Sequence, residues 1–149
     1  MSVTSKKRIP RIGFHAPITG GLHEALIVAR DTGCDTVQIF SRNPRGWMAK
    51  PLSLADITLF KKTRRLTRIN PVVIHCNYLV NLAAADELML EKSRTSFREE
   101  IKRAILLGVD YLVVREKDLA RLRRTVGPTW RGVAGMTFRR SLGRTIASL

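Results

Sequence analysis

Apolar residues in the first 114 positions follow two alternating patterns. Short runs rich in β-branched residues predict four strands, in "RIGFHA", "CDTVQIF", "NPVVIHC" and "VDYLVV". After each of the first three runs, apolar residues recur three and four positions apart, which predicts a helix. Strands that alternate with helices favour right-handed βαβ units around a parallel sheet, in a barrel or in a doubly wound fold.

The predicted helices have recognisable ends. Gly33 ends the first helix, and Ser53 with Asp56 three positions later predicts a capping box at the start of the second. The third helix is predicted over residues 81–107, before Gly108. Its predicted buried face consists of Leu88, Phe97, Ile101, Ala104 and Ile105.

Charge narrows the possible partners. The chain has 149 residues, and its 27 basic and 12 acidic side chains give a net charge of +15. Such a field attracts polyanions, most often nucleic acid, although ribosomes, acidic membrane surfaces and arginine-biased coding DNA are alternative reasons for it. No apolar run approaches the roughly 20 residues of a membrane helix. The two cysteines lack CxxC spacing and no secretory segment is recognisable, so we expect a cytoplasmic protein with reduced thiols.

The strand and helix rhythm covers only residues 10–114. Residues 1–9 form a basic N-terminal arm, and residues 115–149 form a divergent tail with nine basic and two acidic side chains. A helical turn or two around Leu119, Leu122 and Val126 is the most structure that the tail pattern supports. We therefore expect an irregular basic C-terminal tail.

Residues directly after parallel strands are the candidates for chemistry, since the carboxyl ends of those strands share one edge. His75 there is a possible metal ligand, although a lone histidine is more often simply hydrogen-bonded. Arg45 and Trp47 suit a phosphate and a base, but they suit packing on a helix equally well. The other candidates at strand ends are His15, Arg42, Asn43, Asn77, Tyr78 and Arg115.

Four stretches, in order and without large gaps, resemble the endonuclease IV family of apurinic/apyrimidinic (AP) endonucleases. "IGFHAPITGGL" is similar to the opening strand and glycine turn of the family, "FSRNPRGWMAKPL" to its second loop, and "IHCNYLVNLA" to the stretch after its third strand. "EKSRTSFREEIKRAILLGVDYLVV" is similar to the helix and strand that follow. The resemblance implies the N-terminal half of a TIM-type (β/α)8 barrel, with four parallel strands and intervening helices over residues 10–114.

The resemblance also implies a function. Members of the family use three zinc ions to hydrolyse the phosphodiester 5′ to abasic sites in DNA, a step of base excision repair. By position, His75 matches a zinc ligand, and Tyr78 matches a tyrosine that enters DNA beside the abasic nucleotide. Arg45 and Trp47, with Gly46 between them, match the loop that penetrates the minor groove. No residue is assigned a catalytic role.

Departures from the family pattern limit this expectation. Gly46 stands where relatives often have glutamine, and Pro17 replaces a serine. The fourth strand is followed by Arg115, where the family has a histidine ligand, and a protonated guanidinium has no lone pair for zinc. We therefore expect a truncated chain that does not hold the full zinc cluster and is inactive alone.

Other interpretations remain. The chain could be a non-catalytic basic DNA-binding module derived from the family, while a sugar isomerase of the same superfamily is disfavoured by "RNPRGW" and the positive charge. The tail is interpreted either as out-of-frame translation from near Val114, which we favour, or as a genuine cover of the open sheet edge. Uncovered edges of a four-stranded half-barrel predict poor solubility or self-association.

Overall fold

A computed structural model describes residues 10–115, 137–141 and 144–148. The predicted N-terminal arm lies outside these residues, as does the helical turn expected around Leu119. The elements in chain order are β1 (Gly13–His15), α1 (Leu22–Asp31), β2 (Thr36–Phe40), α2 (Leu54–Thr67), β3 (Val72–His75), α3 (Glu87–Leu107), β4 (Tyr111–Arg115), β5 (Thr137–Ser141) and β6 (Arg144–Ser148).

The first four strands are parallel and adjacent in chain order. The sheet order is β1-β2-β3-β4-β6-β5, and the register places Gly13 beside Thr36 and His75 beside both Phe40 and Val113. A doubly wound sheet would reverse its strand order at a switch point, whereas a barrel adds strands in sequence. The order β1 to β4 therefore agrees with the predicted TIM-type barrel portion.

Two segments of the tail, Thr137–Ser141 and Arg144–Ser148, are strands, whereas an irregular tail was expected. β6 pairs antiparallel with β4, and β5 pairs antiparallel with β6, so the edge of β4 is covered. The prediction that both edges of the four-stranded unit are unpaired is wrong for this edge. The physical reason is that an open strand edge presents a row of unpaired N–H and C=O groups, which another segment of the chain can satisfy.

Local signals set the starts of the last two helices. The predicted capping box is present, with the Asp56 N–H donating to Ser53 Oγ at 3.0 Å and the Ser53 N–H donating to Asp56 Oδ2 at 3.4 Å. α3 begins later than predicted, because Asp86 caps it by accepting from the Met89 N–H at 2.7 Å.

The core lies between the helices and one face of the sheet. Phe97, Ile101 and Ala104 are buried as predicted, but Leu88 and Ile105 are 77% and 51% exposed. The prediction was wrong for these two because they lie off the stripe that contacts the sheet. Fully buried side chains from α1, α2 and the strands complete the core: Ala25, Leu26, Ala29, Val37, Ile39, Phe60 and Ile74.

Cys34 and Cys76 are thiols that form no disulfide, and Cys76 is buried. None of the helices within the described ranges is both long and apolar enough to cross a bilayer.

Candidate nucleic-acid interface

Two loops meet at the carboxyl edge of the sheet. The loop after β2, residues 41–51, is called the β2 loop here, and residues 76–82 form the β3 loop. The Tyr78 N–H donates to the Pro44 carbonyl at 3.2 Å, and Asn77 Nδ2 donates to the Gly46 carbonyl at 2.6 Å. Because Asn77 is only 3% exposed, its side chain is a buried connection between the loops.

A tight turn brings Arg45 to the tip of the β2 loop. Asn43 Oδ1 accepts from the Arg45 N–H at 3.0 Å, and the Gly46 N–H donates to the Asn43 carbonyl at 3.3 Å. An asparagine side chain that bonds the backbone two residues later stabilises such turns. The Arg45 side chain is exposed at this tip.

Gly46 is not required here by steric crowding. A Cβ added at this position would meet its nearest atom, the Met48 carbonyl oxygen, at 3.6 Å, which is an ordinary van der Waals contact. The departure at Gly46 therefore removes a side chain from the tip without a gain in backbone fit.

Aromatic rings fill the space beneath the two loops. The Phe40 ring centroid lies 4.4 Å from that of His15, 5.4 Å from His75 and 4.9 Å from Tyr78. His75 and Tyr78 are 5.6 Å apart and tilted edge to face, a favourable geometry for ring pairs. Tyr78 is 52% exposed, so its ring both packs on the sheet and faces solvent next to the Pro44 turn.

Trp47 is oriented differently from the other candidates. It is partly buried and borders a groove between the β2 loop and α3, together with Met48, Lys50, Leu88, Lys92 and Thr95. The structure thus brings Arg45, Gly46 and Tyr78 together through the two loops, and it places Trp47 towards the helix side of the β2 loop.

A buried charged cluster lies beneath the β2 loop. Glu100 is 1% exposed and accepts from Arg42 Nε and from Ser41 Oγ, both at 2.7 Å. Arg103, 8% exposed, donates from Nε to Ser41 Oγ at 2.9 Å. Sequence reasoning missed Glu100 and Arg103. The signal in the sequence that could have revealed them is that two charged residues lie at helical spacing within the apolar stripe of α3, beside Phe97 and Ala104.

The two histidines at the sheet edge have different hydrogen bonds. His75 Nδ1 lies 2.7 Å from the Cys76 carbonyl and donates to it, which leaves Nε2 as the nitrogen with a lone pair. A histidine oriented in this way is suited to metal binding. His15 Nδ1 lies 2.8 Å from Gln38 Nε2, an amide donor, so its proton resides on Nε2 in the neutral ring. Burial lowers the pKa of His15, and the charge of nearby His75 lowers it further.

These residues do not fit a zinc cluster by themselves. Within residues 10–115 and the two C-terminal strands, no group of three or more His, Cys, Asp or Glu side chains could hold a metal ion. His75 offers one nitrogen ligand, whereas a catalytic zinc ion normally has about three protein ligands.

The family model described as "Xylose isomerase-like TIM barrel" matches residues 26–145. That is well over half of the sequence. The chain belongs to the xylose isomerase-like TIM barrel family.

Relatives within this TIM barrel family carry endonuclease names. The chain is 41% identical over 105 residues to "Probable endonuclease 4" of Chloroflexus aurantiacus, which covers 70% of this chain and 37% of that protein. It is 43% identical over 108 residues to "Endonuclease 4" of Thermus thermophilus, with 71% and 40% covered. The predicted resemblance to the endonuclease IV family is thereby confirmed.

Solved structures agree with the fold. The crystal structure of endonuclease IV from Thermus thermophilus matches with a TM-score of 0.71 and 35% identity, over 83% of this chain and 48% of that chain. The AsfvAP:AG structure matches with a TM-score of 0.60 at 15% identity, and it shows the fold alone. The chain spans less than half the length of these relatives.

Proposed function

We propose that the chain is the DNA-binding N-terminal portion of an endonuclease IV-type AP endonuclease, with DNA containing abasic sites as its ligand. The observation that carries the proposal is the junction of the two loops, where hydrogen bonds join the Arg45 turn to Tyr78 above the aromatic ring cluster. An exposed cation beside a half-exposed ring suits a phosphate and an unstacked nucleotide. The names of the relatives and the net charge of +15 support the same ligand.

Within this proposal, Arg45 contacts the DNA backbone and Tyr78 fills space beside the abasic nucleotide. Trp47 contributes to the loop on its helix side, and Gly46, without a side chain, weakens the wedge at the tip without preventing DNA binding. His75 is proposed as one zinc ligand through Nε2, with the remaining ligands of a three-zinc cluster coming from outside the described residues. The described side chains alone supply no metal cluster for hydrolysis.

The proposal is tested with a duplex that carries one tetrahydrofuran abasic analogue and the same duplex without the lesion. We expect the 149-residue chain to bind the abasic duplex more tightly, to lose affinity steeply as salt rises, and to bind equally with or without chelator. We expect neither incision nor three bound zinc ions per chain by metal analysis. Chelator-sensitive incision by this chain would show that it is a complete enzyme, and equal affinity for the two duplexes would overturn the lesion preference.

An arginine pair provides a matched control. Arg45→Ala should weaken binding and reduce the slope of log affinity against log salt by about 0.9, the value for one lost phosphate contact. Arg65→Ala removes the same charge from an exposed position on α2, near the opposite end of the sheet. It should change the affinity much less, because it lies away from the loops. Equal effects of the two variants would show that binding depends only on net charge.

A non-catalytic DNA-binding module is the second candidate function. The shortage of metal ligands in the described residues favours it, because binding through Arg45 and Tyr78 needs no metal. The two candidates separate when a polypeptide that supplies the missing strands is added. Restored, chelator-sensitive incision supports the enzyme, and unchanged binding without incision supports the module.

We also propose that the chain self-associates through β1. Gly13, Phe14 and His15 are exposed, as is the preceding Ile12, and among the described strands β1 has a partner on one side only. An exposed edge strand favours pairing with another chain. Sedimentation equilibrium should then detect a dimer, and a monodisperse monomer at high concentration would contradict this.

A further inference from the structure

The buried charged cluster beneath the β2 loop bonds mainly to that loop. Arg42 Nη1 donates to the Trp47 carbonyl at 3.1 Å, and Arg103 Nη1 donates to the Lys50 carbonyl at 3.0 Å. Arg103 Nη2 also donates to the Ser41 carbonyl. Three backbone acceptors along a loop without helix or strand thus receive their hydrogen bonds from two guanidinium groups.

Glu100 holds these guanidinium groups in place. Its Oε1 accepts from Arg42 Nε, and its Oε2 accepts from Ser41 Oγ, which in turn accepts from Arg103 Nε. Arg42 is further fixed by bonds to the Ser96 hydroxyl and carbonyl on α3. Burial lowers the pKa of Arg103, the Glu100 carboxylate opposes that change, and Arg42 adds to it. Glu99 and Asp56 also oppose the change, but both are exposed, whereas Glu100 is buried within the cluster. Without the negative charge of Glu100, the two buried guanidinium groups would repel each other with no acidic partner between them.

We propose that Glu100 is a positioning residue for the DNA-binding loop. It acts through Arg42 and Arg103 to hold the β2 loop in its binding shape before DNA arrives. The inference rests on the proposed function and deepens it, because it assigns the order of the loop to a residue that lies in α3 and does not face the DNA.

Pre-organisation of this loop has a direct effect on affinity. Fixing the backbone of a residue costs conformational entropy, and a loop that is ordered only on binding subtracts that cost from the affinity. Loosening even one or two residues near Arg45 should therefore weaken DNA binding about tenfold or more.

The test compares Glu100→Gln with Glu99→Gln in the full chain. Glu99 is the adjacent residue on α3, and its exposed carboxylate pairs with Lys102 at 2.6 Å, so both variants remove one negative charge from the same helix turn. Of the two tryptophans in the sequence, a Trp130→Phe background leaves Trp47 as the one fluorescent reporter. Amide hydrogen exchange of residues 43–48 and acrylamide quenching of Trp47 report loop order without DNA, and anisotropy reports affinity for the abasic duplex.

We expect Glu100→Gln to speed exchange in the loop about tenfold, to raise quenching of Trp47, and to lower the affinity about tenfold. Glu99→Gln should change each of the three much less, because the exposed Glu99 carboxylate acts on Arg103 only as a weaker, more distant charge. Arg42→Lys is the second variant, in case Glu100→Gln fails to fold. It keeps a cation beside Glu100 but loses the planar fork that reaches both the Trp47 carbonyl and Ser96, so it should loosen the loop in the same direction.

The inference is wrong if Glu100→Gln and Arg42→Lys show the same hydrogen-exchange rates in the loop and the same Trp47 quenching as Glu99→Gln. This outcome is separable from failure of the proposed function. If the wild-type chain binds neither duplex, the proposed function is wrong, and the exchange and quenching measurements still decide whether Glu100 orders the loop.

Discussion

The two ends of the parallel sheet use charged residues in opposite ways. At the amino end of the strands, Asp110 accepts from the Val72 N–H at 2.7 Å and from Arg64 Nη2 at 2.5 Å, and Arg64 also donates to Asn70 Oδ1 at 3.0 Å. At the carboxyl end, Arg45 is exposed at the tip of a loop, and its charge faces solvent.

The difference between the two ends shows where charged residues stabilise the fold and where they are available to bind a ligand. In TIM-type barrels the amino end mainly holds the fold together, while loops at the carboxyl end carry function. Here the charged groups at the amino end join strands to each other. At the carboxyl end, the loop that exposes Arg45 accepts hydrogen bonds from the buried Arg42, which pairs with Glu100. Substitutions at the two ends should therefore separate stability from DNA binding.

The largest expected effect is on stability, from Asp110→Ala. The change leaves the Val72 N–H and Arg64 without their shared acceptor, which should cost about 2–3 kcal/mol. Urea unfolding measures this loss as a lower midpoint at an unchanged slope. The affinity of the folded fraction for the abasic duplex should stay the same.

Asp31→Ala is the control for that variant, since Asp31 is exposed and its side chain pairs with the neighbouring Arg30 on the surface of α1. It should change the unfolding free energy by less than about 0.5 kcal/mol. If Asp110→Ala weakened DNA binding as strongly as Arg45→Ala, the two ends would not be functionally separate.

Asn77→Asp tests the position where stability and binding should change together. Asn77 Nδ2 donates to the Gly46 carbonyl and its Oδ1 accepts from the Leu79 N–H at 2.6 Å, so aspartate keeps the acceptor but loses the donor. A carboxylate facing a carbonyl oxygen in a buried site should cost about 1–2 kcal/mol of stability. It should also loosen the Arg45 turn and lower the DNA affinity. A loss in stability alone, measured by unfolding and anisotropy together, would argue against loop coupling.

Tyr78→Ala should affect mainly binding. Truncation removes the ring beside the proposed abasic position and should lower the affinity for the abasic duplex about tenfold, or about 1–1.5 kcal/mol. Its ring contacts with Phe40 and His75 are partly exposed, so the unfolding free energy should fall by less than about 1 kcal/mol. Tyr78→Phe keeps the ring and should retain most of the affinity. Equal losses in both variants would assign the effect to the hydroxyl.

Local features of this fold were predictable from the sequence, and long-range contacts were not. The capping box at Ser53 depends on residues three positions apart. β3 contains a run of β-branched residues, which favours a strand over a helix. The phase of α3 was partly wrong at Leu88 and Ile105, because several apolar stripes are possible on a helix of 21 residues.

The candidate site shows the same contrast between local features, which were predictable, and long-range contacts, which were not. His75, Arg45 and Tyr78 were predicted as candidates because they follow strands and because the resemblance covers them, and their roles stay predictions. Glu100 was missed: its position in the apolar stripe of α3 could indicate burial, but its partner Ser41 lies 59 positions away, and no local pattern reveals that contact. β5 and β6 were missed because their polar, arginine-containing sequences lack a strand pattern; in the structure they add to the edge left open by β4.

The smallest expected effect is a dependence on pH at the carboxyl end. Burial and then His75 lower the pKa of His15 in the folded chain, while the unfolded chain titrates near 6.5. Between the lowered pKa and 6.5 the unfolded state binds more protons, so stability rises with pH through that window and is lost as the pH falls below 6.5. NMR titration of the His15 ring should give a pKa below 6.5.

Replacement of His75 with glutamine should raise the pKa of His15, because one of the two causes is removed while burial remains.

Protonation of His15 should have opposite effects on DNA affinity and on stability. As the pH falls, positive charge accumulates beside the two loops, so the affinity for DNA should rise while the free energy of unfolding declines slightly. Parallel changes in affinity and stability with pH would mean that His15 acts through folding alone. Opposite changes would show that the carboxyl end tolerates a small loss of stability while it gains positive charge at the proposed DNA-binding surface.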